Sequence, residues 1–98
     1  MSDAAERPRS CRAWVRLENR HGLHARPAHL LVQTANAYAS SLRIGREGEE
    51  AVDGKSIMSV MMLAAEHGTT LELIAEGPDC EEQLRALREL FDSRFGEE

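Results

Sequence analysis

Cysteine, lysine, proline and aromatic side chains are scarce in this 98-residue chain, and no long apolar run occurs in it. Its longest apolar stretches fall far short of the roughly 20 residues that a membrane helix needs, which excludes a membrane-spanning reading. The first ten residues, MSDAAERPRS, hold no apolar segment of the kind that forms a secretory signal. The two cysteines, Cys11 and Cys80, form no Cys-x-x-Cys motif, and two cysteines far apart predict free thiols in a reducing cytoplasm. Basic excess is lacking as well. Twelve Lys and Arg against 17 Asp and Glu leave a formal charge of −5, whereas a general nucleic-acid binder needs a basic face that displaces counterions. An RNA-binding sheet would further need several exposed aromatics, and Trp14 is the one candidate.

What is present suits one small α+β domain. Residues 1–10 are polar and aperiodic and predict a flexible lead-in; residues 11–98 carry the domain. Over 11–17, Cys11, Ala13, Val15 and Leu17 alternate with Arg12, Trp14 and Arg16, the pattern of a half-buried strand. Asn19 and Gly22 mark a loop. From Ala25 to about Tyr38, Ala28, Leu31, Val32 and Ala35 recur at helical spacing, with Pro27 just inside the start. Leu42 and Ile44, the turn-like stretch GREGEE, then Ala51 and Val52 predict a hairpin.

Ser56 is placed to cap a second helix that Gly68 stops, with His67 as a cationic C-terminal cap. Leu71, Leu73 and Ala75 form the inward side of a fourth strand, with Ile74 an apolar exception on the other side. Asp79 and Glu82 stand at capping-box spacing ahead of a helix whose apolar stripe is Leu84, Leu87 and Phe91, reaching about Phe95. The order βαββαβα predicts two layers, a four-stranded sheet with its helices on one face.

His24 carries the sharpest chemical signal. It precedes Ala25, Arg26 and Pro27, so it lies at a helix N-terminus, where unpaired amides and the helix dipole favour an anion. Arg26 adds a charged donor there, and Gly22 lets the loop turn tightly beside the imidazole. On local features alone an idle N-cap histidine remains the alternative. His21, His24 and His29, spaced by three and five with no carboxylate or cysteine in their segment, do not make a metal site, and no cofactor is expected.

Ile57, Met58, Met61 and Met62 cannot all lie on one helical stripe. Ile57, Met58 and Met61 therefore suggest an adaptable docking patch beside Ser56, with Met62 equally readable as core, and Leu30 extends the patch from the first helix. No nucleophile motif, GxGxxG or P-loop occurs.

The segment Gly22-Leu23-His24-Ala25-Arg26-Pro27-Ala28 resembles the active-site signature of the HPr family, the histidine phosphocarriers of the bacterial phosphoenolpyruvate-dependent phosphotransferase system. Lys55-Ser56-Ile57-Met58-Ser59-Val60-Met61-Met62 resembles that family's regulatory serine segment, and the likeness extends over about residues 12–95. It departs at Ser59, where glycine is common, in the acidic hairpin and in the longer N-terminus.

The resemblance implies an open-faced β-sandwich and a carrier rather than an enzyme. His24 would take phosphate from phospho-enzyme I on Nδ1 and pass it to enzyme IIA-type domains, with Arg26 and the Ala25 and Arg26 amides holding the phosphoryl oxygens. Ser56 would be the site of an HPr kinase/phosphorylase and would then engage a regulator. A cytoplasmic monomer is implied, with no nucleic acid and no membrane insertion. A nitrogen-type or purely regulatory paralogue that feeds no sugar uptake is the alternative.

Overall fold

A computed structural model describes residues 9–97. Its elements are β1 (Ser10–Arg16), α1 (Ala25–Ala35), β2 (Ser41–Arg46), β3 (Val52–Asp53), α2 (Ile57–Met62), β4 (Thr70–Glu76) and α3 (Cys80–Asp92), followed by a 3₁₀ turn at Arg94–Gly96. The expected lead-in lies, for residues 1–8, outside the described residues; Ser10 already belongs to β1.

The period-two alternation does what a half-buried strand requires. Ala13 and Val15 of β1, Leu42 and Ile44 of β2, and Leu71, Leu73 and Ala75 of β4 are buried on one face. Arg12, Trp14 and Arg16 stand on the other, open face. The helices cover the apolar face with Ala28, Leu31 and Ala35 of α1, Val60 of α2, and Leu84, Leu87 and Phe91 of α3. Each fully buried Leu or Phe contributes about 1.5–3 kcal/mol, so this single layer of contacts is the main driving force. The result is the expected open-faced α+β sandwich. No helix among the described residues is long and apolar enough to cross a membrane.

The sheet order is β1-β4-β2-β3, antiparallel throughout. The strand latest in sequence, β4, is therefore central: Leu73 lies opposite Ala13 of β1 on one side and Ile44 of β2 on the other. The hairpin turn is tighter than the GREGEE stretch suggests. Gly45 and Arg46 still belong to β2, and Gly45 is kept small by Ala51, whose Cα would lie 2.9 Å from an added Cβ.

Four local expectations are corrected. Cys11 and Cys80 are paired as a disulfide rather than free, because α3 packs along β1 and brings their Cα atoms to 5.9 Å, within the span that a disulfide bridges. Helix α2 ends at Met62, well before Gly68; His67 is a loop residue near Glu18 and caps nothing. Asp79 occupies the N-cap position of α3 without capping it. Its carboxylate instead accepts hydrogen bonds from the amides of Ala39 and Ser40 and from the Ser40 hydroxyl, tying the start of β2 to the start of α3. Those donors hold the Asp79 carboxyl below the usual carboxylate range, the Ser40 hydroxyl contributing most. Leu30, expected to be exposed, is half-buried and packs on the core.

Candidate functional site

The loop between β1 and α1 is built on Asn19, which is completely buried. Its Nδ2 donates to the Gly22 carbonyl at 2.7 Å and to Glu97 Oε1 at 3.0 Å. Gly22 then turns with φ +68°, and a Cβ there would sit 2.3 Å from the Ala65 carbonyl oxygen, so only glycine fits. The next amide, of Leu23, donates to that same Ala65 oxygen at 2.9 Å while its side chain enters the core. The loop is thus pinned on both sides of the turn, and the residue it delivers is His24.

His24 occupies the N-cap position of α1 with extended backbone, and its carbonyl accepts the first helical bond from Ala28 N. Its side chain makes no capping bond. The Ala25 and Arg26 amides therefore have neither an intrahelical acceptor nor a side-chain cap, and Pro27 has no amide to satisfy. No acidic residue occupies the first turn, so the positive end of the helix dipole is not neutralised from within α1. Arg26 is exposed and forms no salt bridge among the described residues.

The imidazole is part-exposed, with 39% of its side chain accessible. Its Nε2 lies 3.1 Å and 3.0 Å from the two oxygens of Glu97. Its Nδ1 has no hydrogen-bond partner among the described residues. His21 stands edge-on to it, with ring centres 6.0 Å apart, whereas His29 lies out on α1. Among the described residues no group of three His, Cys, Asp or Glu side chains is placed to hold a metal. Burial pushes the Glu97 carboxyl up, but hydrogen bonds from His24 and Asn19 and the nearby positive charge outweigh it, and the group is held below the usual carboxylate range.

The second expected cluster is assembled on α2. Ser56 is a true N-cap: its Oγ accepts a bond from the Ser59 amide at 3.3 Å. Of the apolar residues that follow, Val60 alone is fully buried. Ile57, Met58 and Met61 are exposed as expected, and Met62, which pattern alone left open, is 80% accessible. The helix that carries them packs beside α1.

Two residues of this site escaped the sequence reading. Asn19 was legible as a loop residue beside Gly22, but its burial was not. Glu97 is separated from His24 by 73 positions and has no local signature.

Fold and site together define a phosphocarrier domain. A family model described as "PTS HPr component phosphorylation site" matches residues 12–93. The chain is 51% identical over 83 residues to the phosphocarrier protein HPr of Pseudomonas aeruginosa, covering 85% of this chain and 92% of the relative. It is 48% identical over 84 residues to the HPr of Treponema pallidum, covering 86% and 94%. The crystal structure of HPr-C-His from Thermoanaerobacter tengcongensis superposes with a TM-score of 0.85 at 42% identity, covering 90% of this chain and 98% of that one. The chain belongs to the HPr family of the phosphotransferase system.

Proposed function

We propose that His24 is the phosphoryl acceptor of this carrier, receiving the group from phospho-enzyme I and passing it to enzyme IIA-type domains. The observation that carries the reading is the imidazole at the uncapped N-terminus of α1, with Nδ1 unpartnered among the described residues and Nε2 engaged by Glu97. In acceptance the Nδ1 lone pair forms a new N–P bond as the bond from phosphorus to the donor atom breaks, its electron pair returning to the donor. The free Ala25 and Arg26 amides and the Arg26 guanidinium bind the phosphoryl oxygens, an anion site of the kind found at helix N-termini. A part-exposed imidazole suits a carrier, since two different partners must reach it in line.

The chain serves as a substrate of other proteins and performs no turnover of its own. The groove of about 610 Å³ between β1 and α3, around Arg12, Leu84 and Arg88, contains none of the proposed transfer residues. Ile57, Met58 and Met61, with the edge of Leu30, form the partner-docking face. Ser56 is the regulatory site, phosphorylated by an HPr kinase/phosphorylase and then recognised by a regulator that presents an arginine cluster. The carrier domain, expected over residues 11–98, begins with β1 at Ser10 and works as a cytoplasmic monomer. Incubation with enzyme I and labelled phosphoenolpyruvate tests the reading. Acid-labile phosphate is expected on His24; label on His21 or His29, or label retained by His24→Ala, overturns it.

A further inference from the structure

Asn19 is an expensive residue to keep where it is. It is fully buried, its Oδ1 has no hydrogen-bond partner among the described residues, and an unsatisfied buried acceptor costs stability. Both useful contacts of the side chain come from Nδ2, one to the Gly22 carbonyl and one to Glu97. A flipped amide would set Oδ1 against a carbonyl and a carboxylate, acceptor against acceptor, so the environment fixes the orientation. Asn19 therefore joins the loop that carries His24 to the segment that carries Glu97.

That segment is itself held in place. Arg94 and Phe95 adopt left-handed backbone, with φ of 56° and 55°, in which an ordinary side chain is strained. Phe95 is buried there, with its ring edge-on to Phe91 at 4.9 Å between centres, and this packing offsets the strain. The turn aims Glu97 back across the domain at the distal nitrogen of His24.

We propose that Asn19 and Glu97 are a positioning pair for phosphoryl transfer: they hold the proton of His24 on Nε2, so that Nδ1 presents its lone pair to the incoming phosphorus. The proposal rests on the reading of His24 as acceptor. A carboxylate only accepts hydrogen bonds, so an imidazole nitrogen facing it must carry the hydrogen. The neutral ring is then in the tautomer that attacks through Nδ1. Once the N–P bond has formed, the ring is a cation that still carries Nε2–H, and the Glu97 carboxylate balances its charge. In the onward step the N–P bond breaks with its electron pair going to Nδ1, which leaves a neutral imidazole in the same tautomer. One contact thus serves both acceptance and release, with no proton exchanged with solvent.

The test compares Glu97→Gln and Asn19→Ala with the unaltered chain, each checked for folding by circular dichroism. Nitrogen-15 NMR of the imidazole reads the tautomer, and labelled phosphate reads transfer to and from His24. A hydrogen bond to a charged group corresponds to a rate effect of about tenfold or more, so both transfer steps should slow by that order in Glu97→Gln. Its neutral ring should move from a single Nε2–H form to a mixture. Asn19→Ala should show the same pair of changes, smaller in size. Glu97 is at the edge of the fold, so its variant decides the matter if Asn19→Ala does not fold. Unaltered transfer in Glu97→Gln overturns the proposal, and so does slowed transfer with an unaltered tautomer. Absence of label on His24 in the unaltered chain, with label elsewhere, instead overturns the acceptor assignment on which the proposal stands.

Discussion

Two helices of this domain begin with side chains that treat the N-cap position in opposite ways. Ser56 caps α2: its hydroxyl accepts from the Ser59 amide, so one opening amide of that helix is satisfied from within. His24 stands at the same position of α1 and leaves the amides beyond it free, its ring turned instead toward Glu97. The first arrangement adds about 1 kcal/mol to a helix of only six residues, whose remaining support is the packing of Val60. The second forgoes that stabilisation and keeps an anion site open. The surroundings differ in the same sense. The Ser56 end is followed by exposed Ile57, Met58, Met61 and Met62, a surface for contact, while the His24 end is polar and hydrogen-bonded, a surface for charge. The end suited to chemistry is the one whose cap is missing.

Removing the ring breaks the contrast outright. His24→Ala is expected to abolish phosphate uptake from enzyme I while leaving the circular dichroism spectrum intact, since no capping bond is lost. Arg26→Ala comes next. Transfer measured with labelled phosphoenolpyruvate should fall about tenfold or more through loss of a charge-assisted contact. Thermal stability should stay within about 0.5 kcal/mol, as for an ordinary exposed substitution.

At the other cap the order of effects reverses. Ser56→Ala should cost about 1 kcal/mol in thermal or denaturant unfolding, because a cap is removed, and leave the rate of His24 phosphorylation unchanged. Ser56→Asp should hold the fold, since aspartate also caps, yet slow transfer several-fold. The new charge must be desolvated when a partner covers Ile57 and Met58. Equal transfer rates in the two variants would separate Ser56 from the docking face.

Asp79 sharpens the comparison most gently, as an N-cap residue whose carboxylate serves other amides. Its folded pKa lies below the ordinary value, so its contribution is present above about pH 4 and is lost as pH falls through the folded pKa. Asp79→Asn should therefore remove part of the acid sensitivity of unfolding, followed by circular dichroism between pH 5 and about pH 2. An unchanged acid transition would show that the Ser40 contact carries none of it.

Much of the fold was legible in the chain because it rests on local periodicity. Ala13 and Val15, Leu71, Leu73 and Ala75, and the stripe Leu84, Leu87, Phe91 all point inward as their spacing requires. The likeness of Gly22–Ala28 to the HPr signature and the element order agree with the family found by comparison. Where the reading failed, the deciding partner was distant. Asp79 and Glu82 have the spacing of a capping box, but Ala39 and Ser40, brought alongside by the sheet, offer better donors. The stop at Gly68 was misplaced because the chain leaves α2 at Met62 and passes Ala64 in left-handed conformation, so that Ala65 can meet the His24 loop. The two cysteines gave no sign of pairing because 69 positions separate them.

By itself, then, the sequence determined which residues face inward, where the helices begin, and that a histidine and a serine head two of them, because each depends on neighbours within a turn or two of the chain. Only the tertiary structure decided that β4 runs down the middle of the sheet, that Cys11 meets Cys80, that Met62 faces solvent, and that Asn19 and Glu97 converge on His24. Those outcomes depend on contacts between segments far apart in sequence. Such contacts form only once burial of the common apolar face has brought the segments together, and a local pattern carries no record of them.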